Sequence, residues 1–409
     1  MNTNVLAVHG GPVTFPDGDP FPTWPQHDDS EETALLQVLR SGKWGSTNGD
    51  VVAAFEQEFA AYQQADHAVC MTNATIGIAV ALRTAGVGIG DEVIVPPYTF
   101  IATASAALLI GAVPVFADID PITHLMDPQA AEQAITPRSK AIVVVHLAGR
   151  PADLAAFTDL GRRHGLVIIE DAAQAHGASF RGRRVGAIGD LGVFSFQSSK
   201  NMTAGEGGVI TTNDPDRAAA VYSMINVGRV RGGGWYEHRS VGFNLRLTEL
   251  QGALLRAQLR RHPDQQATRE RSAQLLTVLL KDDVDAGKII LAPDHSDVTE
   301  HGRHLFVFRV PELGAAGRRD EAVAALAAEG LPAASTGYVP LHRNDPLITE
   351  TAGICRRLGR SYVPRSCPHA DVAAADTIWL PHNYLLGDEE QTERLAAAIH
   401  KVVTGLATG

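Results

Sequence analysis

Cysteine is scarce in this 409-residue sequence: there are three, none of them in a C-x-x-C pair, at positions Cys70, Cys355 and Cys367. This small, dispersed set argues against a disulfide framework and favours a reducing compartment. The N-terminus lacks the basic segment and apolar stretch of a secretory signal, so we expect a cytoplasmic protein. The longest apolar run, residues 101–117, is too short for a membrane span and is interrupted by Gly111 and Pro114.

Positively charged residues are also fewer than negatively charged ones. The chain has 35 Lys and Arg against 46 Asp and Glu, a formal net charge of −11, without long runs of one sign. This balance disfavours nucleic acid or an acidic membrane as a partner. The 16 histidines form no H-E-x-x-H motif, and His301 and His304 have no third ligand nearby in sequence, so we expect no metal.

Short apolar, β-rich runs alternate with amphipathic helical stretches between residues 66 and 212. Several runs are apolar along their whole length, as is typical of strands covered on both faces. The pattern predicts an α/β fold with a mainly parallel sheet, helices on both sides, and ligands at the carboxyl ends of the strands. The predicted strands are 67–71, 92–96, 113–118, 141–146, 167–171, 193–196 and 208–212.

The C-terminal part of the chain has a different pattern. A long helical stretch ends near residue 280, and a polar segment at 282–302 is interpreted as a linker. Strand and helix patterns are then mixed, which indicates a smaller α+β domain. The predicted domains are therefore 1–281 and 282–409. The expected C-terminal elements are strands at 305–310, 331–338 and 377–380, and helices at 318–329 and 389–403.

Two polar residues follow predicted strands of the sheet. Lys200 lies in F-S-F-Q-S-S-K-N-M-T-A-G-E-G-G (194–208), among hydroxyls, amides and glycines. Asp171 ends the strand of I-I-E-D-A-A-Q-A-H-G (168–177). Only a neutral lysine amine attacks an aldehyde, so a lysine that can be desolvated suits Schiff-base chemistry. By itself Lys200 would be an ordinary loop residue, but the aspartate motif upstream favours a catalytic pair.

Together the two motifs resemble those of the pyridoxal-phosphate (PLP) aminotransferases of the DegT/DnrJ/EryC1/StrS family, E-D-A-A-Q/H-A/S-H-G followed by F-S-F-x-x-x-K. The resemblance covers residues 24 to about 386 and implies a fold-type-I transferase, with a mainly parallel seven-stranded sheet in the large domain and a smaller C-terminal domain. It implies that Lys200 is linked to the cofactor and, once freed, moves the transferred proton. Asp171 would keep the pyridine nitrogen protonated and the ring an electron sink.

The phosphate and the ring of the cofactor have further candidate contacts. Asn73, Ala74 and Thr75 open a predicted helix after a strand, so free N–H groups and the helix dipole point at one place. By itself this is an ordinary N-cap, but the resemblance implies that the turn binds the phosphate together with Ser195. It also implies that Phe100 stacks on the ring, although an aromatic after a strand commonly packs in the core.

The resemblance implies three more residue roles. Gln174 matches the residue that contacts the ring 3-hydroxyl, and His176 matches a neighbouring histidine with a structural role. Asn244 lies in G-F-N-L-R (242–246), which matches G-Y/F-N-x-R, whose asparagine reaches the cofactor phosphate of the neighbouring subunit. A homodimer with shared active sites is therefore implied. In the alternative interpretation, Asn244 only caps the helix that follows.

Candidate substrate contacts are Tyr98, Arg229, Tyr338 and His342. The stretches 22–29, 338–344 and 379–386 are similar to those of the aminocyclitol and 3-amino-5-hydroxybenzoate branch of the family. The expected reaction transfers an amino group from L-glutamine or L-glutamate to a keto-cyclitol of the scyllo-inosose type in antibiotic biosynthesis.

Three alternatives stay open at this point. The acceptor is a nucleotide-linked keto-sugar if Arg229, Arg231, His342 and Arg343 converge on a diphosphate. It is an amino-dehydroquinate-type compound if the enzyme is similar to 3-amino-5-hydroxybenzoate synthase. The third alternative is a non-catalytic, PLP-binding regulatory protein, against which the sequence has no evident DNA-binding element and retains Lys200.

Overall fold

The computed structural model describes residues 5–407. Seven strands form one sheet in the order β1-β9-β8-β5-β4-β2-β3. Strand β9 is antiparallel to both of its neighbours, and the other six strands run in one direction. The strands are β1 (His67–Met71), β2 (Glu92–Val95), β3 (Val113–Phe116), β4 (Ser139–Val145), β5 (Val167–Asp171), β6 (Ser179–Phe180), β7 (Arg183–Arg184), β8 (Leu191–Ser195), β9 (Gly208–Thr212), β10 (Val298–Glu300), β11 (Leu305–Arg309) and β12 (Thr377–Pro381).

The mainly parallel seven-stranded sheet predicted from the sequence is confirmed, and its strands are β1 to β5, β8 and β9. Its inner strands are apolar because parallel strands joined by crossover helices are covered on both faces. Strands β2 and β8, for example, are buried along their whole length. The carboxyl ends of the parallel strands meet at one edge, where Asp171 ends β5.

Helices connect and cover these strands. They are α1 (Asp29–Ser41), α2 (Val51–Tyr62), α3 (Ala74–Thr84), α4 (Ala102–Leu109), α5 (Pro128–Ala134), α6 (Leu154–His164), α7 (Pro215–Ile225), α8 (Glu249–Leu279), α9 (Lys281–Asp285), α10 (Pro311–Ala315), α11 (Arg319–Ala328), α12 (Asp345–Arg357), α13 (Pro368–Asp376) and α14 (Glu389–Ala407). Within residues 5–407, none of the helices has the length and apolarity needed to cross a membrane.

The buried side chains form two large hydrophobic clusters. The first surrounds the seven-stranded sheet. The second joins α11, α14 and the strand pair β11–β12 to the end of α8. Leu6, Phe15 and Phe21 from the N-terminal segment also pack in this second cluster. The predicted domains start at residue 1 and end at 409, positions outside the described residues, and their boundary at 281/282 stays a prediction.

Three C-terminal expectations differ from the structure. Residues 331–338 form no strand and make only an isolated bridge between Ser335 and Trp379. Gly337 has a φ of +75°, and a Cβ there would lie 2.5 Å from the Tyr98 hydroxyl, so extended pairing ends before it. The predicted linker contains α9 and β10, and β10 pairs with β6. Helices α12 and α13 were not predicted.

Candidate active site

A cavity of about 790 Å³ opens at the carboxyl edge of the sheet, between β5, β8, the start of α3 and the segment that carries Tyr338. Nine predicted site residues line it: Asn73, Ala74, Thr75, Phe100, Asp171, Gln174, Ser195, Lys200 and Tyr338. These residues are far apart in the chain but close in space, because parallel strands bring their carboxyl ends to one edge.

Lys200 lies in a tight turn that follows β8. Its backbone N–H donates to the Gln197 carbonyl at 2.9 Å, which turns the chain into the cavity. Burial lowers the pKa of the Lys200 amine to about 8, and the nearby Asp171 carboxylate opposes this shift only in part. A substantial fraction of the amine is therefore neutral near physiological pH, as a nucleophile toward a carbonyl requires.

Asp171 is held at the end of β5 by two donors. The Thr103 hydroxyl donates to Oδ2 at 2.8 Å, and the backbone N–H of Ala173 donates to Oδ1 at 3.3 Å. Burial raises the pKa of this carboxyl, although the Thr103 hydrogen bond acts in the opposite direction. A buried carboxylate in this state is stabilised by a cationic N–H donor, so the site suits a protonated nitrogen heterocycle.

The start of α3 forms an anion-binding end of the cavity. The Asn73 side chain caps the helix by accepting the backbone N–H of Ile76 at 2.9 Å. The N–H groups of Ala74 and Thr75 lie in the first turn, where they have no partner within the helix, and both residues line the cavity. Strand β9 begins directly against this turn, since a Cβ on Gly208 would lie 2.7 Å from the Asn73 carbonyl carbon. This end suits a phosphate.

Gln174 is fixed at both ends of its amide. The backbone N–H of Ala148 donates to Oε1 at 2.7 Å, and Nε2 donates to the Tyr338 hydroxyl at 2.9 Å. Tyr338 is packed edge-on against Trp379, with ring centroids 4.7 Å apart. Because its oxygen accepts from Gln174, the Tyr338 hydroxyl proton is available to a ligand in the cavity.

Phe100 and His176 differ in their surroundings. Phe100 is 56% exposed and lines the cavity, so the alternative interpretation, in which Phe100 packs in the core, is wrong. His176 is fully buried beside Phe194 and Phe196, with ring centroids 5.6 and 5.7 Å away. Burial lowers the pKa of His176 to about 3, which keeps the ring neutral and is consistent with a packing role.

Two predicted substrate residues do not line the cavity in this chain. Tyr98 is 1% exposed and packs behind the wall, edge-on to Tyr338 and Trp379 with centroids 6.0 and 6.2 Å apart. It therefore supports the wall without facing the cavity. His342 is buried with its Nε2 at 3.2 Å from the Asp371 carboxylate, which holds the ring away from the cavity.

Arg229 and Asn244 are also outside the cavity of their own chain. The Arg229 guanidinium lies 3.9 Å from the centre of the Trp235 ring and donates to the Trp235 carbonyl. Asn244 is exposed, next to Phe243, which is 60% exposed. Neither residue is among those that line the cavity of the same chain. The end of the loop 228–246 that holds both is fixed beside β1, because the Thr72 N–H donates to the Leu245 carbonyl at 2.9 Å.

Several residues that line the cavity were not predicted as site residues from the sequence: Thr99, Gln197, Ser199, Glu206, His304 and Trp379. Gln197, Ser199 and Glu206 are neighbours of Lys200 in sequence, so their proximity to it was a usable signal. His304 immediately precedes β11, and nothing local in the sequence marks it as a residue of the cavity.

Residues 25–400 match the model of the DegT/DnrJ/EryC1/StrS aminotransferase family. The chain belongs to this family. It is 38% identical over 387 residues to 3-amino-5-hydroxybenzoate synthase of Amycolatopsis mediterranei, covering 94% of this chain and 97% of the relative. It is 40% identical over 423 residues to L-glutamine:2-deoxy-scyllo-inosose aminotransferase of Streptoalloteichus tenebrarius, covering 97% of each.

The structural comparison agrees with the family assignment. The crystal structure of 3-amino-5-hydroxybenzoic acid synthase superimposes with a TM-score of 0.86 at 35% sequence identity, covering 96% of this chain and all of that chain. The fold is therefore that of the PLP-dependent aminotransferases of the DegT/DnrJ/EryC1/StrS family, as the two motifs indicated, and the protein is an aminotransferase.

Proposed function

We propose that this aminotransferase uses PLP to move an amino group from L-glutamine or L-glutamate to a keto-cyclitol of the scyllo-inosose type in antibiotic biosynthesis. The observation that carries the proposal is the cavity itself. It combines Lys200, Asp171 and the start of α3 with walls of neutral hydrogen-bonding and aromatic side chains. The identity to scyllo-inosose aminotransferases supports the same acceptor class.

The chain has a residue for each part of the cofactor. The phosphate would be held by Asn73, Ala74, Thr75 and Ser195, and the ring nitrogen by Asp171. Phe100 would contact the ring face, Gln174 the 3-hydroxyl, and Lys200 the aldehyde. When bound, PLP supplies an electron sink that stabilises negative charge at the donor α-carbon. Asp171 strengthens that sink by favouring the protonated ring nitrogen.

Lys200 is the proposed acid and base of the reaction. The buried amine, with its pKa lowered to about 8, would move the proton of the donor α-carbon to the C4′ carbon of the cofactor. In the second half-reaction it would move a proton from C4′ to the carbon that receives the nitrogen. Phe100 and Trp379 line the same cavity and would reduce the access of water to this proton when cofactor and substrate are bound.

The charge of the walls favours a neutral acceptor. Among the described residues, Lys200 is the one cation that lines the cavity. A sugar-linked diphosphate requires arginines or lysines at its two phosphates. Arg343 instead pairs with Asp371 at 2.5 Å, and Arg231 lies over the Tyr222 ring, 4.1 Å from its centre. The basic residues that would serve a nucleotide sugar therefore do not converge in one chain. In the dimer proposed below, Arg229 and Arg231 would reach a cavity from the partner, so this argument concerns the residues that one chain supplies.

A homodimer with shared active sites completes the proposal. The loop 228–246 exposes a row of large apolar side chains next to Asn244: Trp235 (56%), Tyr236 (86%), Val241 (86%) and Phe243 (60%). Such a row is typical of a surface that a partner covers. Asn244 would then reach the phosphate in the partner's cavity, and Arg229 the carboxylate of the amino donor.

The acceptor is tested in single half-reactions. The protein is aminated with L-glutamine, freed of donor, and offered scyllo-inosose, 2-deoxy-scyllo-inosose, a dTDP-linked 4-keto sugar or an amino-dehydroquinate-type carboxylate. Return of the cofactor to its aldehyde form is followed by absorbance. We expect rapid return with the two cyclitols. Return with the nucleotide sugar alone would overturn the cyclitol assignment and leave the cofactor residues intact, and return with the carboxylate alone would favour the 3-amino-5-hydroxybenzoate reaction.

The shared site is tested by complementation. We expect Lys200→Ala and Asn244→Ala chains to be inactive when each is tested alone. In a shared site, Lys200 and Asn244 come from different chains. A refolded mixture of the two variants would therefore contain hybrid dimers with one unaltered site. Partial recovery of activity in the mixture supports the shared site. No recovery, in a mixture shown to contain hybrid dimers, contradicts it.

A further inference from the structure

His304 lines the cavity and has no role in the mechanism above. It immediately precedes β11, and its backbone N–H donates to the Ala148 carbonyl at 2.9 Å, which fixes the strand against the large domain. The residue is 6% exposed. Burial lowers the pKa of His304 well below its usual value, and the charge of Lys200 contributes in the same direction, so the ring is neutral.

The hydrogen bonds of Asn201 determine which ring nitrogen of His304 carries the proton. The Asn201 side chain is fully buried, and its Nδ2 donates to the Gly302 carbonyl at 2.7 Å. A carbonyl oxygen only accepts, so the amide orientation is fixed and Oδ1 is the atom that faces His304. Oδ1 lies 2.8 Å from His304 Nδ1 and also only accepts. Nδ1 therefore holds the proton, and Nε2 of the neutral ring has a free lone pair.

The remaining contacts of the ring leave Nε2 to the cavity. One face of His304 is stacked on His382, with centroids 5.6 Å apart and an interplanar angle of 25°. His382 is held in turn by the Ser199 carbonyl, 3.2 Å from its Nε2. The Nδ1 edge is occupied by Asn201. Nε2 is then the polar atom that His304 can offer to a ligand.

We infer that His304 Nε2 is a hydrogen-bond acceptor for a hydroxyl group of the keto-cyclitol, and that it determines specificity for a polyol. The inference rests on the proposed function, since it concerns the acceptor of the same site. The Tyr338 hydroxyl, which already accepts from Gln174, supplies a donor. His304 and Tyr338 line the same cavity, so it offers an acceptor and a donor to a polyol, whose hydroxyl groups both donate and accept.

The first test reads the protonation of the ring without activity. In cofactor-free protein with 15N-labelled histidine, NMR is expected to show a His304 signal with Nδ1 protonated and Nε2 unprotonated between pH 6 and 8. Asn201→Ala removes the partner of Nδ1 and is expected to let the two tautomers exchange. A spectrum of the unaltered protein with Nε2 protonated overturns the inference.

The second test separates the two half-reactions in the holoenzyme. His304→Phe is expected to raise the KM for scyllo-inosose by about tenfold or more, because a bound hydroxyl loses its acceptor. The rate of amination by L-glutamine should change less than about threefold. His304→Gln restores an acceptor oxygen and should recover part of the loss. His124→Asn, at a buried histidine outside the cavity, is the matched control.

The results distinguish this inference from the proposed function. If the unaltered enzyme converts neither scyllo-inosose nor 2-deoxy-scyllo-inosose, the proposed function fails, and the same comparison is made with whichever acceptor is converted. If His304→Phe slows both half-reactions equally, or if His304→Gln recovers nothing, His304 acts on Lys200 or on the fold and not on the acceptor, and the inference is wrong.

Discussion

The side-chain amide of Gln174 donates to the hydroxyl of Tyr338 at 2.9 Å, and this bond joins the motif after β5 to the irregular segment before α12. The two residues are 164 positions apart in the chain. Ala148 holds the other end of the amide, so Gln174 cannot rotate without losing a buried hydrogen bond. The bond therefore sets the position of the Tyr338 hydroxyl relative to the proposed cofactor site.

Tyr338→Phe is expected to weaken binding of the acceptor. The change removes the donor that we assign to the substrate and leaves Gln174 Nε2 without its partner, at a cost of about 1–3 kcal/mol. The KM for the keto-cyclitol should rise roughly tenfold, while the cofactor stays covalently linked. Tyr384→Phe removes, outside the cavity, the hydroxyl that accepts the Ala333 N–H, and should lower stability without changing this KM.

Asp171→Asn is expected to lower the rates of both half-reactions far more than it lowers cofactor occupancy. Loss of one partner of a buried ionic contact costs roughly 3–5 kcal/mol, so the rate should fall at least about a hundredfold. Stopped-flow absorbance measures each half-reaction. Asp190→Asn is the control, because the Asp190 carboxylate lies outside the cavity and accepts a hydrogen bond from the Ile168 N–H. Near-normal turnover of Asp171→Asn would remove this residue from the mechanism.

The pH dependence of covalent cofactor attachment should report Lys200. Because burial lowers its pKa from 10.5 to about 8, the neutral, reactive fraction is about one tenth at pH 7 and about nine tenths at pH 9. The rate of attachment to cofactor-free protein should therefore rise about tenfold per unit below pH 8 and level off above it.

Lys200→Ala is the companion variant for this measurement. It should bind the cofactor through the phosphate contacts but form no covalent link and no product. Borohydride reduction of the unaltered protein should mark a single peptide, the one that contains Lys200. A label on another peptide contradicts the central assignment.

Gly208→Ala should weaken cofactor binding specifically. The added Cβ would lie 2.7–3.0 Å from backbone atoms of Asn73 and Ala74, so the phosphate-binding turn must shift. Overpacking of this kind typically costs about 1–3 kcal/mol, which corresponds to a Kd higher by about five- to 150-fold. Gly88→Ala, whose Cβ would meet only the Asp91 carboxylate at 3.8 Å, is the control. Equal cofactor affinity in the two variants would exclude a close fit at this turn.

Sequence alone determined the sheet and the centre of the site. Each of the seven strands corresponds to a short, largely apolar run of consecutive residues. The strand-turn-helix unit that places Asn73 is also formed by residues that are consecutive in the sequence. Lys200 and Asp171 follow strand ends, and the parallel arrangement of those strands already brings the two side chains to one edge. The strands and the helix start at Asn73 follow from residues close together in the sequence. The proximity of Lys200 and Asp171 follows from the sheet that those strands predict.

Only the tertiary structure decided which distant residues face the cavity. Tyr98 and His342 were predicted as substrate contacts, but packing against Trp379 and pairing with Asp371 turn them away from it. His304 was not predicted, and it reaches the cavity because β11 is fixed against Ala148 and Asn201. Spacing in the chain predicts the direction of a side chain within one helix or strand. It cannot predict which residues of the C-terminal part of the chain meet the end of the sheet, because contacts between residues more than a hundred positions apart determine that arrangement.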